Sequence, residues 1–207
     1  DRSTVRETLA NVELAARPYA RLMEVTVGRG KELGTETPVN PSIFPNPDGV
    51  VERFTRVHSD WDYYLLNGFR LAPTAPHDNH FANWGTAHTC RTAIVAPMLT
   101  ESALLDGMDS RSVYATEDEN LSVRFYAEGR VPMGSELTTL SDSVTLNLHV
   151  SDPDYWGSLS VTVHYGTVGG EEVTEVHNIS SVPSDQWIDI PLSISSSGVH
   201  FAYLAIT

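Results

Sequence analysis

At 207 residues the chain can bury the core of one generous domain or two small ones, and its 41% apolar and 19% charged residues mark it as globular rather than disordered. The formal charge of −14 argues against a nucleic-acid-binding surface, because phosphate contacts need clustered Lys and Arg. No run of about 18 apolar residues occurs, which excludes a membrane-spanning helix, and the single cysteine, Cys90, excludes an intramolecular disulfide framework.

The acidic excess suits a secreted or periplasmic protein, or a site that collects divalent cations; an extracellular or periplasmic location is the expectation. Residues 4–24 place Val5, Leu9, Val12, Leu14, Ala15 and Ala16 roughly on one helical face until Pro18 interrupts. Leu22–Val27 then reads as a short buried strand closed by Gly28 and Gly30. Pro38, Pro41, Pro45 and Pro47 make 34–49 an irregular loop. A second amphipathic helix is expected near 58–68, with Trp61, Tyr64 and Leu65 on one side and Gly68 as its C-cap. Phe69–Pro73 leads into the loop Thr74–Gly85. This order of strand, loop, helix, strand and loop is the rhythm of an α/β layer with parallel strands, whose sites sit at the C-terminal strand ends.

After Arg91–Ala96, Thr100 is a plausible N-cap for a short helix with Leu104, Leu105 and Met108 facing inward. Beyond about 112 the texture changes. Leu121–Phe125, Val144–Val150, Leu159–Tyr165, Trp187–Leu192 and 199–206 alternate apolar and polar residues, separated by turn signals at Glu128-Gly129, Ser151–Asp154, Gly166 and Gly169-Gly170. Short period-2 strands at this spacing predict an antiparallel β-sandwich. The expected division is an α/β part over 1–117 and a sandwich over 118–207. Asp1 at the start and the apolar run at the end make both ends read as cut, with the sandwich incomplete at its C-terminus.

Asp78 and His80 lead the residues that could carry chemistry. Side chains at i and i+2 share a face of an extended backbone, so a carboxylate oxygen and an imidazole nitrogen can turn toward one divalent ion. A solvated turn, with Asp78 in an Asx-type bond and His80 exposed, is the plainer alternative. His77, Asn83, Trp84, His88 and Arg91 are the company that favours a site. Glu24 lies inside an apolar run, where an unpaired charge is costly, so it should face a cation or loop opening, or pair with Arg21 or Arg29. His58 suits a helix N-terminus, and His149, His164, His177 and His200 read as ordinary surface histidines. Cys90 lacks any hint of a paired base.

These residues carry a resemblance. Trp61-Asp62, Leu65-Leu66, Gly68 and Arg70 precede Asp78-Asn79-His80; Asn83-Trp84-Gly85, Arg91-Thr92, Arg111–Thr116 and Met133-Gly134 follow. Over this middle third the chain resembles the C-terminal part of PHP-superfamily (polymerase-and-histidinol-phosphatase) metallohydrolases, in the CehA/McbA-like branch. The resemblance implies a distorted α/β barrel that holds up to three Zn, Mn or Fe ions and hydrolyses small phosphoesters through a metal-activated water. Asp78 and His80 would be its closing ligand pair, and Glu24 and Arg91 would act at the cleft. The His-x-His that opens the family's site does not occur in these residues, which leaves two ligands where a catalytic zinc takes about three from the protein.

Two functions follow as expectations. In the first, the chain is part of a metal-dependent hydrolase whose remaining ligands lie elsewhere. In the second, it is a structural or binding module whose C-terminal strand recruits another chain or a missing segment. Sugar stacking by Tyr155-Trp156 and Trp187 is a third idea, although tryptophans in sandwiches usually belong to the core.

Overall fold

The computed structural model of the chain describes residues 16–25, 61–76, 89–155, 158–195 and 197–207. Its first elements are short: β1 (Leu22–Glu24), a helix α1 over 61–66, β2 (Ala72–Thr74), β3 (Arg91–Ile94), α2 (Glu101–Asp109) and β4 (Val113–Thr116). β1 and β2 run parallel, with Leu22 opposite Ala72 and Glu24 opposite Thr74. β3 and β4 form an antiparallel pair, Arg91 opposite Thr116. β4 had no alternation strong enough to be seen in the sequence, because only four residues separate the turn at Ser112 from the acidic loop at 117–120.

α1 ends as its sequence dictates. Gly68 takes φ +79, its N–H bonds to Leu65 O, and Phe69 N bonds to Tyr64 O, which together close a Schellman turn. Thr100 caps α2 as expected, its hydroxyl accepting from Ala103 N. The inward face differs from expectation: Ala103 and Gly107 are buried and Leu105 is 54% exposed. Small residues face β3 because the helix axis lies too close to Ile94 and Val95 to admit leucine.

The remaining strands are β5 (Ser122–Ala127), β6 (Val131–Pro132), β7 (Ser143–Ser151), β8 (Ser158–Thr167), β9 (Thr174–Pro183), β10 (Gln186–Ser193) and β11 (His200–Ile206). They form two antiparallel sheets, ordered β10-β7-β5-β6 and β11-β8-β9. The sheets meet over one core in which every second residue points inward: Val123 from β5; Val144, Leu146, Leu148 and Val150 from β7; Val161 and Val163 from β8; Ile190 and Leu192 from β10. Burying each such side chain contributes about 1.5–3 kcal/mol. This is the β-sandwich expected from the alternation. By the same parity Trp187 points outward, 51% exposed, instead of joining the core.

Glu128 (φ 54) and Gly129 (φ 63) make the turn from β5 to β6, as their types suggest. Gly166 marks no turn; it lies within β8, and a Cβ there would stand 2.3 Å from Phe201 Cζ on the neighbouring β11. The reversal comes three residues later at Gly169. β9 escaped the sequence pattern because it is an edge strand with mostly exposed side chains and two register shifts against β8.

The three-stranded sheet is covered on both faces. Ala202, Leu204 and Ile206 of β11 face the sandwich core, while Phe201 and Tyr203 face Trp61, Leu65, Met23 and Val25. A strand covered on both faces reads as continuously apolar, which accounts for the run that ends the chain. The Tyr203 ring lies 4.4 Å from Trp61 and stacks on His164 at 4.6 Å, and its hydroxyl donates to Asp62 Oδ1 at 2.8 Å. His164 is therefore a packed junction residue, and His149 is held by Asp185 at 3.4 Å with 16% of its side chain exposed; neither is the free surface histidine expected. No helix among the described residues is long and apolar enough to cross a membrane.

Candidate functional site

The parallel pair decides where the candidate residues gather. Both strands end at the same edge, where Val25 N donates to Thr74 O (3.1 Å) and the Thr74 hydroxyl donates to Met23 O (3.2 Å). The next residue, Ala75, donates its N–H to the hydroxyl of Thr92 at 2.9 Å, which pins the start of β3 beside the end of β2. Glu24, Ala75 and Arg91-Thr92 thus share one end of the two small sheets. Asp78 and His80 themselves, with His58, His77, Asn83, Trp84 and His88, lie outside the described residues.

Glu24 is exposed, contrary to the buried carboxylate expected inside an apolar run. Met23 and Val25 turn into the Trp61–Tyr203 junction, so period-2 alternation sends Glu24 to the opposite, open face. Its expected partner Arg21 is engaged elsewhere, Nε donating to Asp109 Oδ1 at 3.0 Å. A solvated carboxylate at a strand end needs no buried counter-charge, and among the described residues Glu24 faces solvent.

Arg91 is half-buried at the start of β3, opposite Thr116 at the end of β4. One of its guanidinium nitrogens donates to Cys90 O at 2.8 Å and another lies 3.5 Å from Glu119. This ties the arginine to the acidic loop 117–120 that leaves β4. Cys90 is buried, with 2% of its surface exposed, and packs as a core residue.

The same loop contributes to a cluster that escaped sequence reading. Carboxylate oxygens of Asp118, Asp152 and Asp154 all lie within 4.8 Å of one another. Asp118 Oδ1 accepts from the backbone of Asn120 and Leu121 at 2.8 Å each, Asp152 Oδ1 accepts from Asp154 N and Tyr155 N at 3.2 Å, and Asn120 Nδ2 donates to Asp154 Oδ2 at 3.1 Å. Loss of solvation, the hydrogen bond with Asp154 and the nearby charges push the Asp152 carboxyl above the usual carboxylate range. The hydrogen bonds from Asp152 and Asn120 hold Asp154 below it. All-oxygen donors of this kind suit a hard cation such as calcium rather than zinc. The turn hydrogen bonds by themselves account for the positions of the three side chains, so the cluster is a loop staple that assigns no cofactor. Its sequence signals were the Asp152-Pro-Asp154 turn and the run Glu117-Asp118-Glu119, 34 residues apart at Asn120 and Asp154.

Comparisons of the chain with protein-family models, with curated proteins and with solved structures find no match.

Proposed function

We propose that this chain is the C-terminal part of a metal-dependent hydrolase of the PHP type, acting on small phosphoesters, with its α/β part belonging to the family's distorted barrel. The observation that supports this is the convergence at the ends of β1 and β2: Glu24 opposite Thr74, and Thr92 bonded to Ala75 beside Arg91. Glu24 ends one strand of a parallel pair and Arg91 begins the neighbouring β3, and the ends of parallel strands are where open α/β sheets carry their sites.

In this reading Asp78 and His80 hold one of the divalent ions, Zn, Mn or Fe, and further ligands come from a His-x-His elsewhere in the intact protein. The bound metal supplies an activated water and charge neutralisation on the phosphoryl oxygens. Arg91, oriented by Glu119, adds a guanidinium that pairs with a phosphoryl group. In the same reading Glu24, which is exposed, would accept a proton or orient the water's approach.

The test is divalent-dependent hydrolysis of p-nitrophenyl phosphate and of its diester by the intact protein, with metal content measured alongside. Asp78→Asn and His80→Ala each lower both metal content and turnover, by more than about 100-fold in rate, beyond what loss of a merely supporting contact costs. Full turnover in either variant refutes the assignment. Absence of both metal and hydrolysis in the wild-type protein favours the alternative, a non-catalytic binding or assembly module.

A further inference from the structure

The outer face of the four-stranded sheet carries side chains that neither the core nor the proposed hydrolase explains. Reading across β5, β7 and β10, one row is Arg124, His149 and Trp187, and the next is Tyr126, Asn147 and Asp189. Trp187 is 51% exposed, yet it is braced: the His149 ring is 5.1 Å away and the Tyr126 ring 5.8 Å, each tilted by 49°. His149 is in turn held by Asp185 at 3.4 Å.

The polar groups beside the indole are equally fixed. Asn147 Nδ2 donates to Asp189 Oδ1 at 2.6 Å, and Asn147 Oδ1 accepts from Gly129 N at 2.6 Å. This leaves the second oxygen of an oriented, exposed carboxylate two residues along the strand from Trp187. Arg124, exposed on the far side of His149, adds donors on the same face.

We propose that this face is a carbohydrate-binding platform for a neutral, β-linked pyranose chain. A pyranose with equatorial hydroxyls offers a flat C–H face that an exposed indole covers, and its rim of hydroxyls donates to a carboxylate and accepts from a guanidinium. The alternatives fit less well. An apolar peptide or lipid needs a contiguous apolar patch, whereas here each aromatic ring is neighboured by Asn147, Asp189 or Arg124. A polyanion meets a chain of net charge −14. A quaternary cation needs rings that enclose it, and these rings lie side by side along a sheet. A preformed, braced platform binds with little loss of side-chain entropy, which suits the weak, extended contacts of a polysaccharide.

The test is affinity electrophoresis of the full chain through native gels that contain hydroxyethylcellulose, a soluble β-glucan, with glycogen as the α-linked comparison. The wild-type chain is retarded by the β-glucan and much less by glycogen. Trp187→Ala loses at least about tenfold in affinity, the ordinary cost of deleting an aromatic anchor, while Trp187→Tyr retains part of the retardation. Asp189→Asn weakens retardation without abolishing it. Equal melting curves for all variants show that the losses are local. Free migration of the wild type through β-glucan, undiminished retardation of Trp187→Ala, or release by tetramethylammonium ion would each overturn the proposal.

Discussion

Tyr203→Phe isolates one of the contacts that join the first part of the chain to the sandwich. The substitution keeps the ring, and with it the 4.4 Å contact with Trp61 and the stack on His164, and deletes only the hydroxyl that donates to Asp62 at 2.8 Å. A hydrogen bond to a charged group is worth about 1.5–3 kcal/mol, and water that reaches part-buried Asp62 in the variant brings the cost to the lower end, about 1.5 kcal/mol. For a chain of this size that lowers the melting temperature by about 3–6 °C. Tyr203→Ala also removes a ring that is 8% exposed and costs about 3–5 kcal/mol. Urea denaturation followed by circular dichroism and tryptophan fluorescence reads both values. Trp61→Ala and Tyr203→Ala combined cost less than their sum by about 0.5–1.5 kcal/mol, the coupling of the two rings. A Tyr203→Phe protein as stable as wild type, or strictly additive alanine variants, would refute the view that this junction carries stability.

Two further outcomes rest on side-chain packing around the sandwich. Gly166→Ala forces a methyl to within 2.3 Å of Phe201 Cζ, so it costs about 1–3 kcal/mol in thermal unfolding, and Phe201→Leu in the same chain recovers part of that loss; an unchanged melting curve for Gly166→Ala contradicts the packing. In alkali, Tyr203 and Tyr114 hold their protons longer than ordinary phenols. Burial is the main cause in both, reinforced at Tyr203 by the hydrogen bond to Asp62 and by the charges of Asp62 and Glu175. The unfolded chain releases these protons near pH 10 and the folded chain does not, so stability is intact below about pH 10 and declines as pH rises above it. Tyr203→Phe makes that decline shallower in phenolate-absorbance and unfolding titrations; an identical pH slope argues against a buried phenol.

The residues already contain much of the sandwich. Alternation at Val144–Val150, Leu159–Val163 and Ile188–Leu192 specifies which face goes inside, because one slip of register would expose every one of them. Local chemistry was equally legible at Thr100, at Gly68 and at Glu128-Gly129, since a cap or a tight turn depends only on neighbours within a few residues. β9 and β4 were not legible: one is an exposed edge and the other is four residues long, so neither leaves a periodic signature.

Contacts between distant segments arise only on folding. No local rule shows that Met23 and Val25 turn to the junction and leave Glu24 exposed, or that Gly166 makes room for Phe201 from the next strand. Asp118 meets Asp152 and Asp154 through the crossing of two loops, and Trp187 stands on the open face because its neighbours Ile188 and Ile190 take the core. Alternation, caps and turns are properties of neighbouring residues and can be read along the chain. Which faces find a partner, and hence which charged and aromatic side chains remain open to a ligand, depends on packing between segments as far apart as Asp62 and Tyr203, and that is settled only when the chain closes on itself.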